Sequence, residues 1–445
     1  DGKPVTAEDV QFSFEVYALP GVNNPFRKSQ TEAIEKIEIL KPDLLLFHLR
    51  NSQFQHFEFI GSLMILPKHI YFRQDPKAME NNEYTQLPKG SGPYFVKSLN
   101  KGDRTVLERN PNWWAGHLKQ NIGAYNFDRI VMRYIRDPQI AFENLKKGDL
   151  DYMQIRVGNI ELLRQTKTDK AFVDGKIKVL DAASKLQEGF AYLGFNLKNE
   201  LFADKKVRKA LAKAINREEM IQKSLDGAAV IPKGPLFSLN NFQGKFENVK
   251  FDPKAAQKEL EDLGWKDSNG DYILDKKGKK FEFSVLVPNA RIEKEMLYIQ
   301  NYFKQIGVQM NIKRQEYQTW AQLQDERKFD SVSNGKNRLL KAVSTDAFGE
   351  WHSTNTKPGL RNYYGYSNPE VDKLIEKSQL EMNPQKRKKL LDQINDLIAE
   401  DYVLIQYSES KYQTHGVSAK LQTPEYQGKN WFPYNLGMKY WYFKQ

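Results

Sequence analysis

One piece of punctuation recurs along this chain: a capping Asp or Asn followed by Pro, then apolar residues at helical spacing, then an alternating run suited to a strand. Asp137-Pro138 opens such a segment and Gly148 closes it, Asp252-Pro253 and Gly264 bracket another, and Asn368-Pro369 starts a third. The side-chain oxygen satisfies free backbone N–H groups, Pro fits the first helical turn, and Gly takes the left-handed conformation at the stop. Helices and strands mixed over the whole length predict an α/β fold built in lobes, not a bundle or a sandwich. No repeat of the solenoid kind is present.

The first 155 residues can be divided into a helix, two hairpins and a strand–helix–strand segment. Thr6 and Asp9 form a capping box ahead of a helix with Val10, Phe14 and Tyr17 on one face. IEKIEIL and DLLLFHLR form a hairpin around Lys41-Pro42-Asp43, and SGPYFVKSL and DRTVLERN pair around Lys101-Gly102. NFDRIVMRYIRD alternates as a strand with Ile130, Met132 and Tyr134 on one side. A helix follows with Ala141, Phe142 and Leu145 as its apolar stripe, and LDYMQI is the next strand, which together predict a βαβ unit. In that frame Asp149 belongs to a turn and Asp151 opens a strand, so this acidic pair is punctuation and not catalytic machinery. In the second half, Asp204 precedes the helix KKVRKALAKAIN, Glu293 to Ile306 is helical up to Gly307, and VQMNIKRQEY is a strand. Arg387 to Glu400 is a further helix, and VLIQY at 403–407 a late strand.

At 445 residues the chain has room for two or three domains with cores of their own. It has no cysteine, which excludes disulfides, thiolate metal sites and cysteine nucleophiles. The longest apolar runs, LLLF at 44–47 and LMIL at 63–66, are too short to span a bilayer. The net charge of +12 is spread along the chain among 56 acids. Its densest clusters, KKGKK at 276–280 and KRKK at 386–389, suit a hairpin tip and the solvated start of a helix, with no nucleic-acid module around either.

Motifs for chemistry are missing. There is no phosphate-binding GxxxxGK[ST], and KGSGPY at 89–94 fails the GxGxxG pattern at Pro93. No GxSxG or HExxH occurs, and the six histidines are scattered. DSNGDYILD at 267–275 lacks the glycine and the final glutamate of a calcium loop and reads as a polar turn. Carboxylate pairs for glycoside chemistry meet only in space, so a hydrolase stays open as the enzyme alternative. The balance favours a binding protein with no catalytic residue, no metal ligand set and no cofactor.

The order of segments resembles the family 5 extracellular solute-binding proteins, the dipeptide- and oligopeptide-binding receptors of bacterial ABC importers. The matching stretches include DGKPVTAEDVQFSF (1–14), KGSGPYFVKSL (89–99), LERNPNWW (107–114) and NFDRIVMRYIRDPQIAFENLKKGDLD (126–151). They continue with GFAYLGFNLKNELFADKKVRKALAKAINREEMI (189–221), FDPKAAQKELEDLGW (251–265), IQNYFKQIGVQMNI (299–312) and NYYGYSNPEVDKLI (362–375). In that family the first of these segments lies well inside the mature protein, so the resemblance implies that an N-terminal segment precedes Asp1.

The resemblance further implies a two-lobe clamshell of the type II periplasmic-binding-protein kind, with an additional subdomain in the first lobe and a ligand held between the lobes. Residues 1–188 plus 406–445 would form the first lobe and 189–405 the second. It implies a monomeric receptor, periplasmic or lipid-anchored on the outer face of the cell membrane, that binds short peptides or peptide-like solutes for an inner-membrane ABC permease. Relatives in this fold take metal chelates, haem or oligosaccharides, which leaves a non-peptide solute as an alternative. A sensor subunit with no transported ligand is a third.

Peptide-binding members pair an Asp of the second lobe with the ligand's ammonium group and wall their pockets with aromatics. The matching region is FDSVSNGKNRLLKAVSTDAFGEWHST, 329–354, with Asp346 as the Asp and Phe348 and Trp351 as wall candidates. It departs from the family pattern in one respect: KNRLLKAVST stands where a Trp commonly precedes that Asp. Arg361 is a candidate bidentate donor to a ligand carboxylate, or else a surface arginine. Trp320 and Trp431 read as core or rim.

Overall fold

The computed structural model describes residues 1–19, 31, 33–72, 87–156, 158–182, 189–236, 244–337, 347–411, 413–423 and 438–444. The chain divides into two compact units. The first comprises Asp1–Ile155, Arg164–Leu180 and His415–Gln445, and the second Arg156–Leu163 and Asp181–Thr414.

The first unit opens with the helix Ala7–Ala18. The Asp9 carboxylate accepts the Thr6 backbone N–H at 2.8 Å and the Thr6 hydroxyl at 3.2 Å, closing the first turn. Phe14 of this helix packs against Phe47 and Phe59, with ring centroids 5.1 and 5.7 Å away. Phe47 belongs to the antiparallel hairpin of β1 (Ile34–Lys41) and β2 (Leu44–Leu49). A second antiparallel sheet runs β3 (Tyr94–Asn100), β4 (Arg104–Arg109), β5 (Arg129–Arg133).

The helix Pro138–Lys147 forms as its punctuation requires. Asp137 accepts the Gln139 N–H, Gly148 ends the helix at φ 87°, and Ala141, Phe142 and Leu145 are buried. The strand after it, β6 (Tyr152–Ile155), does not return to the sheet of β5. It joins β7 (Ile177–Ala182) and β16 (Gln413–Ser418) in the order β6-β16-β7, so the predicted βαβ unit is not formed. The hairpin turn at Lys101-Gly102 brings β4 beside β3 as a near-sequence partner, whereas the partner of β6 lies far along the chain. Asp149 and Asp151 act through their backbone. The Asp149 N–H donates to the Asn144 carbonyl at 2.9 Å, and the Asp151 carbonyl accepts the Ser418 N–H at 2.8 Å.

The second unit is built on a six-stranded mixed sheet. Its strands are β8 (Gly189–Phe195), β9 (Ala229–Val230), β12 (Glu282–Val287), β13 (Gln309–Arg314), β14 (Ser331–Asn337) and β15 (Leu404–Ser410), in the order β13-β12-β14-β8-β15-β9. The intervening β10 (Asp275–Lys276) and β11 (Lys279–Lys280) form a separate hairpin at the KKGKK cluster. On one face Leu193, Phe195 and Val285 pack with Leu211, Leu260, Ile299 and Phe303 from three helices. On the other, Tyr192, Val332 and Leu404 pack with Trp320, Ile375 and Ile394. Each side chain of this size contributes about 1.5–3 kcal/mol by leaving water.

One basic cluster is less solvated than its composition suggests. The helix Pro384–Glu400 starts at its Asn383 cap, before KRKK, and Arg387 is buried with its guanidinium turned back on the Glu381 carbonyl at 2.8 Å. That donor satisfies a chain segment ahead of the helix, which periodicity alone does not reveal. The DSNGD segment is the polar turn it resembles, with Asp267 accepting the amides of Gly270 and Tyr272 at 2.7 and 3.0 Å.

A pH dependence follows from His415 on β16. Its Nδ1 lies 2.8 Å from the Tyr152 hydroxyl, its Nε2 is buried with no hydrogen-bond partner among the described residues, and burial lowers its pKa to about 4. The unfolded value is about 6.5. The unfolded chain therefore binds more protons between these values, and stability falls as pH drops from about 6.5 towards 4. Above that window the group has no effect. Urea unfolding of His415→Phe at about pH 7 and pH 4.5 should show a smaller loss on acidification than the parent. An unchanged loss would assign the acid sensitivity to other groups.

Candidate ligand-binding site

Strand directions define one chemically distinctive edge of the second unit. β12 is parallel to β13 and to β14, while β8 is antiparallel to both β14 and β15. The carboxyl ends of β12, β13, β14 and β15 therefore lie together, beside the start of β8. Open α/β sheets bind ligands at the carboxyl ends of their parallel strands.

A polar cluster is built at this edge. After β12, Asn289 caps the helix Ala290–Gln305 by accepting the Ile292 N–H at 3.0 Å. Within its first turns the Arg291 Nη1 donates to Glu295 Oε1 at 2.7 Å. The other Glu295 oxygen accepts the Tyr407 hydroxyl of β15 at 2.8 Å, and Ser333 Oγ of β14 lies 3.3 Å from that hydroxyl. Burial first, and the neighbouring Glu295 carboxylate second, push the Tyr407 phenol well above its usual range, so it stays protonated and donates.

The residues singled out by resemblance lie elsewhere in the same unit. Asp346 falls outside the described residues, as does Trp431. Phe348 and Trp351 share the short helix Phe348–Trp351. The Phe348 ring is half-buried, 4.6 Å from the His352 ring. Trp351 is 0% exposed, stacked on Tyr364 at 6.2 Å and edge-on to Tyr366 at 5.7 Å. Arg361 joins this group from the following loop, where its Nη2 donates to Glu350 at 2.6 Å. Tyr364 in turn meets Tyr192 of β8 edge-on at 6.3 Å, and burial pushes the Tyr192 phenol up to about 12. Trp320 is core, its indole N–H donating to the Leu286 carbonyl at 3.2 Å. The structure thus puts Phe348 and Trp351 on one short helix, with Trp351 in the aromatic cluster of Tyr364 and Tyr366, and pairs Arg361 with Glu350 of that helix.

Sequence reasoning missed Arg291, Glu295 and Tyr407. The signal available was the spacing of four between Arg291 and Glu295 directly after a strand, which puts both on one helix face. Starting that helix at Glu293, where the apolar stripe begins, hides the pair. Among the described residues no group of three or more His, Asp or Glu is arranged to hold a metal. A groove of about 820 Å³ in the first unit, between Asn126–Arg129 and Tyr442–Lys444, carries none of the predicted residues.

A mixed sheet covered by helices on both faces defines an α/β protein, and the polar cluster lies at the carboxyl edge where such sheets bind ligands. A family profile described as bacterial extracellular solute-binding proteins, family 5, middle part, matches residues 1–356. The chain is 31% identical over 423 residues to the oligopeptide-binding protein AppA of Bacillus subtilis, covering 92% of this chain and 73% of that protein. The solved structure of B. subtilis AppA with a nonapeptide superposes with a TM-score of 0.81 at 28% identity, over 100% of this chain and 85% of that one. NikZ of Campylobacter jejuni, solved with Ni(L-His), gives 0.77 at 26% identity, over 95% of this chain and 80% of that one. The chain belongs to the family 5 bacterial extracellular solute-binding proteins and has their type II periplasmic-binding-protein fold. No helix among the described residues is long and apolar enough to cross a membrane.

The full burial of Trp351 makes a definite prediction. Trp351→Ala should cost about 3–5 kcal/mol in urea unfolding, because the cavity would open between Tyr364 and Tyr366. Trp351→Phe should cost clearly less. A loss below about 1 kcal/mol for the alanine variant would show that this aromatic cluster does not hold the second unit together.

Proposed function

We propose that the protein is the substrate-binding receptor of an ABC importer, capturing short peptides or peptide-like solutes outside the inner membrane and delivering them to a permease. The observation that carries this reading is the likeness, over nearly the whole chain, to a protein whose solved structure holds a nonapeptide. Membership of a family of solute-binding proteins supports a receptor over an enzyme. The receptor would work in the periplasm or at the outer face of the cell membrane.

The physical demands of this role are modest. Micromolar capture needs about 8 kcal/mol of net binding free energy. Charge-assisted hydrogen bonds of about 1.5–3 kcal/mol each, backbone hydrogen bonds and some apolar burial suffice. In this reading Asp346 pairs with the ligand's ammonium group and Phe348 offers a half-buried ring to its side chains. Trp351 holds the helix that carries Phe348, and Arg361, steadied by Glu350, is a donor to ligand oxygens. A metal chelate is the second reading, favoured by the likeness to NikZ with its nickel–histidine ligand.

Native mass spectrometry of gently purified protein, followed by denaturation and identification of what leaves, tests the proposal. Released short peptides support it, whereas a single non-peptide mass moves the function to another solute. The Asp346 assignment has its own test. Asp346→Asn should weaken a released peptide with a free N-terminus by about ten- to a hundredfold in calorimetry, and its N-acetylated twin far less. Equal losses for the two would remove Asp346 from the ammonium site.

A further inference from the structure

The helices Pro369–Leu380 and Pro384–Glu400 of the second unit share one core, to which the first gives Val371 and Ile375 and the second Leu391, Ile394 and Ile398. The turn between them carries Leu380, 63% exposed, and Met382, 50% exposed. One exposed apolar side chain needs no explanation. Two in a tight turn, where Gly, Asn, Asp or Ser ordinarily stand, call for one.

This turn is also held fixed. The buried Arg387 guanidinium donates to the carbonyls of Glu381 and Met382 at 2.8 and 3.4 Å. The Asn383 N–H donates to the Glu381 carboxylate at 2.8 Å, and the Asn383 side chain accepts the amides of Gln385 and Lys386, each at 3.0 Å. Burying a guanidinium costs desolvation that an ordinary solvated turn does not incur. The polar groups of the turn are thus satisfied from within, and what it offers to solvent is apolar.

Positive charge surrounds this tip. Lys373 and Lys377 lie four and seven residues apart from one another and Leu380 along a single helix face, and Lys386 and Lys389 lie one turn apart on the next helix. All four lysines are exposed, and none makes an ion pair or side-chain hydrogen bond with a described residue. The acids among them are engaged: Glu376 faces His352 at 3.4 Å, Glu381 holds the Asn383 N–H, and Asp392 pairs with Lys388. Glu370 and Asp372 stand at the opposite end of their helix.

The composition of this surface separates two kinds of partner. Protein interfaces concentrate aromatic residues and Arg and are poor in Lys. From Leu380 to Lys389 there is no aromatic residue, and the only Arg is the buried one. Lysine is a point charge on a flexible stem and needs no matching fork of acceptors, which suits a fluid layer of headgroups. An apolar tip rimmed by lysines is the arrangement that enters the boundary between headgroups and acyl chains of an anionic bilayer.

We infer that the turn around Leu380 and Met382, with Lys377, Lys386 and Lys389, is a contact with anionic phospholipid. The two apolar side chains enter the interface and the lysines stand among the headgroup phosphates. This builds on the reading of a receptor that works beside the membrane of its permease, but not on which solute it carries.

The test is sedimentation of the purified protein with vesicles of phosphatidylcholine alone or with about 30% phosphatidylglycerol. Wild type should bind the anionic vesicles at least about tenfold better than the neutral ones, and binding should fall steeply between about 50 and 500 mM salt. Each lysine near such a surface is worth about fivefold, so Lys377→Gln, Lys386→Gln, Lys389→Gln together should weaken binding by about a hundredfold. Leu380→Ser with Met382→Ser should weaken it while leaving its salt dependence. Lys209→Gln, Lys254→Gln, Lys258→Gln makes the same change of net charge at exposed positions on two other helices and should leave binding as it is.

Equal losses in the two triple variants would show that binding follows net charge, and would overturn the inference. Wild type that ignores anionic vesicles would overturn it as well. Capture on a polyglutamate resin without vesicle binding would assign the lysines to an acidic protein face instead. No solute enters these measurements, so their failure leaves the receptor reading standing, and failure to find a solute leaves the lipid contact standing.

Discussion

The second unit depends on strand β8. It lies between β14 and β15 and runs antiparallel to both, with side chains that alternate between two different cores. Ala191, Leu193 and Phe195 enter the aliphatic cluster of Leu211, Ile299 and Phe303, whereas Phe190 and Tyr192 enter the aromatic cluster around Trp351 and Tyr364. A slip of one residue would exchange the two faces and strand a tyrosine hydroxyl among aliphatic side chains. Gly194 pins the register further. A Cβ there would sit 2.6 Å from Tyr364 Cε1 and 2.9 Å from Leu404 Cδ2, so the tyrosine ring closes over the strand only because nothing projects from it.

The direction of β8 also decides which residues meet at the sheet edge. Because β14 and β15 each pair antiparallel with it, they run the same way as β12, and their carboxyl ends converge. Ser333, Tyr407 and the helix bearing Arg291 and Glu295 are brought together by that convergence alone, from segments 74 and 112 residues apart. The sheet's topology and the polar cluster are thus one constraint seen at two scales. Losing the pairing of β8 would dissolve the hydrophobic cores and disperse the hydrogen-bonded residues together.

How much of this was legible from sequence follows from how local each interaction is. A helix cap is a local event, and Asp137, Asp204, Asp252 and Asn368 each accept a backbone N–H two or three residues ahead. Their helices were readable for that reason, as were the hairpins at Lys41-Pro42-Asp43 and Lys101-Gly102. Strand partnership is not local. Nothing in the alternation of LDYMQI says that its neighbour is Gln413–Ser418, so the predicted βαβ unit joined two strands that belong to different sheets. The family, and with it the fold class, was legible because many short segments recur in one order. The candidate site was legible only in part. The aromatic group around Phe348 and Trp351 stood out by resemblance, whereas Arg291 and Glu295 gain their meaning from a buried tyrosine on another strand.

A receptor that accepts many solutes has to separate affinity from identity. Side-chain pockets give identity, but they vary in value with each ligand. Charged ends common to a whole class give a constant contribution, of about 1.5–3 kcal/mol per charge-assisted hydrogen bond. Micromolar capture needs about 8 kcal/mol, so one anchor contributes a minority of it and leaves the remainder to backbone hydrogen bonds and apolar burial.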